Sequence, residues 1–191
     1  MKFIDNAKTL FRMYKQLGEK SIAQLSDEQL NWQANDDTNS VATIVKHMWG
    51  NMLSRWTDFR TTDGEKPWRM RDAEFEHIAA SRDEIMKMWE EGWGCLFQAL
   101  DTLVEEDLGQ IIFIRNDGLT IMEAVTRQIA HYSYHVGQIV FASKLHSGNN
   151  WESLSIPRNK SVEYNSSKFA NDKAVRNFTD DIIEKKIKYS Y

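Results

Sequence analysis

The chain of 191 residues has little cysteine or proline and no long apolar run. Cys95 is the only cysteine, so an internal disulfide is excluded and a reducing compartment is the simpler expectation for the protein's location. Two prolines and nine glycines argue against long disordered linkers. No segment approaches the ~20 apolar residues that span a bilayer, and the charged N-terminal stretch lacks the apolar run of a signal peptide. We therefore predict a cytoplasmic, single-domain protein with no membrane partner.

A strong charge of one sign is also missing, since the formal net charge is only −4 at pH 7. That charge gives no general attraction to phosphate backbones, so nucleic acid is a poor candidate partner. The chain is instead rich in aromatic residues, among them seven tryptophans. Their large apolar surfaces need cover, and a core position is the simplest interpretation for most of them.

Apolar residues recur at helical spacing in four long segments, each of which predicts an amphipathic helix. In chain order these helices are expected over residues 2–24, 40–60, 81–103 and 120–145, with a short helical turn over 26–32. A serine or threonine stands at each expected N-cap after the first helix: Ser26, Ser40, Ser81 and Thr120. Gly92 and Gly94 weaken the prediction of an uninterrupted third helix.

The remaining segments read mainly as loops. Residues 61–71 and 151–167 are rich in turn-forming and polar residues. Residues 111–120 form either a strand-like turn or a loop, and residues 171–188 form either a peripheral helix or a tail. The predicted fold class is all-α, a four-helix bundle over residues 1–165 with a short C-terminal segment or helix over 166–191.

Three histidines lie on two of the predicted helices. His131 and His135 are four residues apart, so both rings leave one face of the fourth helix beside Gln128 and Gln138. His47 lies among small polar residues on the second helix, and such seams can converge inside a bundle. Three neutral imidazoles would hold a divalent cation and leave positions for water or substrate. From these residues alone, a metal site and a chance pair of surface histidines are equally supported.

A metalloprotease is disfavoured because Tyr132 occupies the position at which an HExxH motif has its glutamate. The histidine motifs HMWGN and HYSYHVGQI, set in a long bundle, instead resemble the DinB-like superfamily, named for DNA-damage-inducible proteins. The likeness covers residues 1–165, and the ending SIPRNKSVEYN is similar to one uncharacterised branch. The resemblance implies a histidine triad that holds zinc or nickel, and the triad falls on His47, His131 and His135.

The resemblance also implies a range of activities. Some relatives transfer or isomerise groups with low-molecular-weight thiols such as bacillithiol or mycothiol, and others have no assigned reaction. Our first hypothesis is a metal-dependent transferase or hydrolase that acts on a small molecule, with a thiol as cosubstrate. The alternatives are a stress-associated protein that binds metal or a small molecule without catalysis, and a helical interaction module without metal. No catalytic acid or base is identifiable.

Further candidates surround the triad. Asn51 and Gln138 lie about one turn from expected ligands and can orient an imidazole or a bound water. The competing interpretation is that both are exposed polar side chains with no role in the site. Arg158 can meet an anionic substrate or belong to a solvated loop. His77 and His146 lie outside the pattern. A homodimer is expected, because symmetric dimers are the commonest small oligomers.

Overall fold

The computed structural model describes residues 2–183, and helices dominate it. Single turns of 3-10 helix occupy Asp72–Phe75, Glu105–Gly109 and Gly148–Asn150. The α-helices are α1 (Phe3–Ile22), α2 (Asp27–Asn31), α3 (Val41–Trp56), α4 (Arg82–Asp101), α5 (Ile121–Ser147), α6 (Ser161–Phe169) and α7 (Asp180–Ile183). The predicted all-α fold class is therefore confirmed.

The four long helices form a bundle in which α1 and α3 each pack against both α4 and α5. Every one of them contributes an aromatic ring to the centre. Phe11, Trp93 and Tyr132 have ring centroids 5.7–6.2 Å apart, and Trp56 donates its indole N–H to the Tyr132 hydroxyl at 3.2 Å. This cluster buries large apolar surfaces from all four helices at once.

The core interpretation of the tryptophans holds only in part. Trp56, Trp89 and Trp93 are buried, whereas the side chains of Trp32 and Trp68 are about half exposed. Trp32 packs edge-on against His146, with ring centroids 4.6 Å apart. Both exposed tryptophans lie outside the long helices.

All four predicted N-caps are confirmed. Each side-chain hydroxyl accepts the backbone N–H three residues ahead, which satisfies a donor that the helix leaves unpaired. The pairs are Ser26 with Gln29, Ser40 with Thr43, Ser81 with Glu84, and Thr120 with Glu123. Local chemistry thus fixes where α2 to α5 begin.

Residues 111–120 form a strand hairpin rather than a loop. Strand β1 (Ile111–Ile114) pairs antiparallel with β2 (Asp117–Thr120), and Arg115 and Asn116 between them have φ angles of 58° and 63°. Positive φ at both central positions is the geometry of a type I′ turn. The Asp63 carboxylate accepts both turn N–H groups at 2.8 Å. The hairpin therefore anchors the loop that follows α3.

The ends of α1, α4 and α5 lie within two residues of the predicted ones, but two other predicted boundaries differ more. Helix α3 ends at Trp56 rather than near Arg60, because Thr57 is extended and Asp58 has a φ of 46°. The loop predicted over 151–167 is wrong in its second half, where α6 begins. Its serines suggested a loop, but Ser166 and Ser167 donate their hydroxyls to carbonyls of the preceding turn, which is compatible with a helix.

Among residues 171–183, only those of α7 form a helix, so the expectation of a helix over 171–188 holds for a small part of that range, and residues 184–188 lie outside the described residues. Helix α7 packs on α1, where the Lys20 ammonium donates to the Ile182 carbonyl at 2.9 Å. Across residues 2–183, no helix is long and apolar enough to cross a bilayer. The homodimer stays a prediction.

Helix α4 runs without a break through Gly92 and Gly94. Comparing Gly94 with Gly18 of α1 allows a direct test of packing, because the two glycines have different surroundings. A methyl group on Gly18 of α1 would overlap the ring of Trp89, whereas one on Gly94 would meet nothing within 4 Å. Alanine improves helix propensity by about 1 kcal/mol at either position. We expect Gly18→Ala to lower the free energy of unfolding by about 1–3 kcal/mol and Gly94→Ala to leave it unchanged or raise it. Urea titrations check both, and equal effects would contradict this packing.

Candidate metal centre

The three predicted histidines meet where α3 faces α5. The Nε2 atom of His131 lies 3.4 Å from that of His47 and 3.1 Å from that of His135. One nitrogen from each ring lies within 4.8 Å of those from the other two. His47 and His135 are buried and His131 is half-buried, so the cluster lies at the inner end of a surface cavity.

The outward nitrogen of each ring has its own partner. Nδ1 of His47 lies 2.9 Å from Oε2 of Glu74, Nδ1 of His131 lies 3.3 Å from Oε1 of Gln128, and Nδ1 of His135 lies 2.8 Å from Oε1 of Gln138. Oxygen atoms can only accept from these rings, so the protons belong on Nδ1. The three Nε2 atoms then carry lone pairs that point at one another.

The Glu74–His47 contact is held from behind by Arg69. The guanidinium donates to both carboxylate oxygens, at 2.7 and 2.9 Å, and both side chains are buried. Burial alone would raise the pKa of Glu74, but the hydrogen bonds from His47 and Arg69 outweigh it and hold this pKa below its usual range. Gly50 makes room for this arrangement, since a methyl group there would overlap Glu74.

The imidazoles of His131 and His135 are neutral at pH 7. Burial lowers the pKa of His131 to about 3, with the neighbouring imidazoles adding to the effect, and burial lowers the pKa of His135 to about 4. Facing lone pairs at these separations repel unless a cation lies between them. Zn–N bonds of 2.0–2.1 Å in a tetrahedron place nitrogens about 3.3 Å apart, close to the two observed separations. The donor set therefore fits a divalent cation.

Only some of the other residues that were considered for the site lie close to the histidines. Gln138 contacts His135 as expected and also donates to the Tyr134 hydroxyl at 3.2 Å. Asn51 lines the cavity, but its amide oxygen accepts from the Tyr132 hydroxyl at 3.1 Å rather than from an imidazole. Arg158 is exposed and does not line the cavity. His77 and His146 likewise lie outside the cluster.

Several residues of the cavity, which has a volume of about 370 Å³, were not predicted from the sequence. The contact of Gln128 with His131 could have been predicted, because Gln128 precedes His131 by three residues on the same helical face. Phe75, which lines the cavity, and Glu74, which contacts His47, come from a 3-10 turn with no periodicity to place them. Five arginines line the cavity: Arg55, Arg69, Arg71, Arg115 and Arg127. No aspartate or glutamate is among the described residues that line it.

Residues 1–160 match the family described as "Protein of unknown function (DUF1572)". The chain belongs to the DUF1572 family. A crystal structure of a conserved protein from Enterococcus faecalis is similar in fold, with a TM-score of 0.56 and 18% identity, over 76% of this chain and 97% of that one. A comparison with curated proteins gave no match. For this DUF1572 protein, these likenesses support the helical fold and leave its chemistry to the residues of the site.

The depressed histidine pKa values predict acid sensitivity of the metal-free protein. An unfolded histidine titrates near 6.5, so below that pH the unfolded state binds protons that folded His131 and His135 do not. The free energy of unfolding should therefore be highest above pH 6.5 and fall towards pH 4, by up to about 1.4 kcal/mol per pH unit for each histidine. Urea titrations from pH 7.5 to 4 measure this slope. The variant His131→Gln/His135→Gln should have a shallower slope, with the lowered carboxylate pKa of Glu74 contributing the remainder, and an unchanged slope in that variant would refute the assignment.

Gln138 offers a test of ligand orientation without breaking a buried ion pair. Leucine at this position removes the acceptor for Nδ1 of His135, and losing such a partner typically weakens metal affinity 10- to 100-fold. Gln138→Glu keeps an acceptor oxygen and should bind metal at least as tightly as the wild type. Competition titrations of Zn²⁺ and Ni²⁺ against a chromophoric chelator measure both, with the exposed Arg176→Gln as control. Equal affinity of the Leu and Glu variants would show that Gln138 does not orient the ligand.

Proposed function

We propose that this protein is a divalent-metal-dependent enzyme of the DinB-like superfamily that acts on a small molecule, most simply by transfer of a low-molecular-weight thiol. The observation that carries the proposal is the convergence of three Nε2 lone pairs while every Nδ1 has an oxygen partner. Zinc and nickel are the proposed ions, since imidazole ligands suit both. A cytoplasmic location and a homodimer are part of the proposal.

His47, His131 and His135 would hold the ion. A bound divalent cation lowers the pKa of a thiol or water and so supplies a nucleophile at neutral pH. Around it, Glu74, Gln128 and Gln138 keep the three rings in the tautomer that presents Nε2. All three histidines line a surface cavity with a volume of about 370 Å³, which gives small molecules access to them.

The lining of the cavity favours thiol transfer over hydrolysis. Hydrolysis usually needs a proton donor for the leaving group, and neither an aspartate nor a glutamate lines the described cavity. Arginine cannot serve, because it does not give up its proton near neutral pH. In thiol transfer the sulfur forms a bond to an electrophilic carbon, the leaving group departs with its bonding electrons, and the thiol proton goes to solvent. A stable anion can leave without protonation.

The absence of a carboxylic acid or carboxylate from the described lining also supports a second candidate, a protein that binds metal or a small molecule without catalysis. Cys95 does not change this balance, because burial raises the pKa of its thiol and it lies at the α3–α4 contact, near Thr57 and the Met52 carbonyl. The two candidates agree on the ion and differ on turnover.

Metal content and turnover separate the candidates. Protein purified without an affinity tag should hold about one zinc or nickel ion per chain, measured by mass spectrometry. His47→Ala and His131→Gln should lose the ion because each removes a ligand. With bacillithiol or mycothiol and an aryl halide, wild-type protein should release halide, and both variants should not. Circular dichroism shows whether the variants remain folded.

Each result has a definite meaning. Stoichiometric metal with turnover that both folded variants lose supports the enzyme. Stoichiometric metal without turnover over a panel of thiols and electrophiles favours the binding protein. Wild-type protein that takes up neither ion at micromolar concentration would overturn the metal site itself.

A further inference from the structure

The cavity beside the histidine triad has a local charge opposite to that of the whole chain. The chain carries a formal net charge of −4, yet five arginines line this one cavity. They come from four parts of the fold: α3, the loop after α3, the hairpin turn and α5. Segments distant in sequence thus bring guanidinium groups to one place, where a field of one sign attracts ligands of the other.

Part of this positive charge is neutralised by carboxylates behind the cavity. Glu65 is shared by Arg55, Arg69 and Arg115, with nitrogen–oxygen distances of 3.0–3.4 Å. Glu74 pairs with Arg69 and also contacts His47. Three guanidinium groups therefore share two carboxylates. In addition, Nε of Arg55 is buried with no hydrogen-bond partner among the described residues.

Arg127 and Arg71 add charge that is barely compensated. Arg127 precedes His131 by four residues on α5, is exposed, and has no ion pair within residues 2–183. Arg71 lies over the Phe75 ring at 5.2 Å, and its nearest carboxylate is the exposed Asp72 at 3.9 Å. Stacking on Phe75 leaves the edge of the Arg71 guanidinium, with its N–H groups, open to a ligand.

We propose that the cavity binds a small molecule bearing a carboxylate or phosphate group, with Arg127 and Arg71 as its anchors beside the histidine triad. Guanidinium forks match the paired oxygens of either group and form charge-assisted hydrogen bonds to them. A volume of about 370 Å³ is within the range of small-molecule sites. The assignment of this anion as substrate rests on the proposed function, but anion binding itself needs no metal.

The test uses inorganic phosphate and succinate as probes on metal-free and zinc-loaded protein, measured by isothermal titration calorimetry at low salt. Wild-type protein should bind at least one probe with or without zinc, and the bound probe identifies the anionic group. Arg71→Gln/Arg127→Gln should weaken binding at least tenfold, since neither residue is buried and the fold should persist. The matched control Arg158→Gln/Arg176→Gln changes the net charge equally and should bind like the wild type.

Three outcomes would overturn the inference: no binding of either probe, equal weakening by the two double variants, or loss only in the control. The result is independent of the metal proposal. Anion binding by the metal-free protein that the Arg71/Arg127 variant loses supports this inference even where no ion is taken up. Stoichiometric metal without anion binding would overturn only the anion site.

Discussion

The candidate site depends on where one proton lies. The Glu74 carboxylate, kept ionised by Arg69, can only accept a hydrogen bond, so the proton of His47 must lie on Nδ1 and its lone pair must point inwards from Nε2. Gln128 and Gln138 impose the same choice on the other two rings. A carboxylate decides this more firmly than an amide, since a glutamine can rotate to present its NH₂ group instead.

Helical periodicity made the candidate ligands themselves predictable. His131 and His135 share a face because residues four apart must do so on any helix, and the N-caps Ser40 and Thr120 fix the starts of the two helices that carry the triad. Gln138 was predictable by the same rule. The meeting of His47 with the α5 pair required the bundle as well, and the resemblance to a known superfamily supplied what spacing alone left open.

The surroundings of the ligands were not predictable in the same way. Arg69 and Glu74 lie in an irregular segment between α3 and α4, where no repeat relates position in the sequence to position in space. Arg115 lines the cavity because it lies in a hairpin turn that is hydrogen-bonded to the Asp63 carboxylate. The chemistry of Arg158 and its place in the loop after α5 suggested an anion contact, but this exposed residue does not line the cavity. The sequence could suggest that an arginine contacts an anionic ligand, but only the tertiary structure shows which arginines line the cavity.

The buried charges beside the triad are not a device for stability. An aromatic core already links all four long helices, and well-packed apolar residues in place of a buried ion pair are often neutral or stabilising. Removal of one partner alone is costly, because the other charge is then buried without compensation. An apolar replacement would nevertheless forfeit one property of this site, because it would leave the proton of His47 unassigned between its two nitrogens.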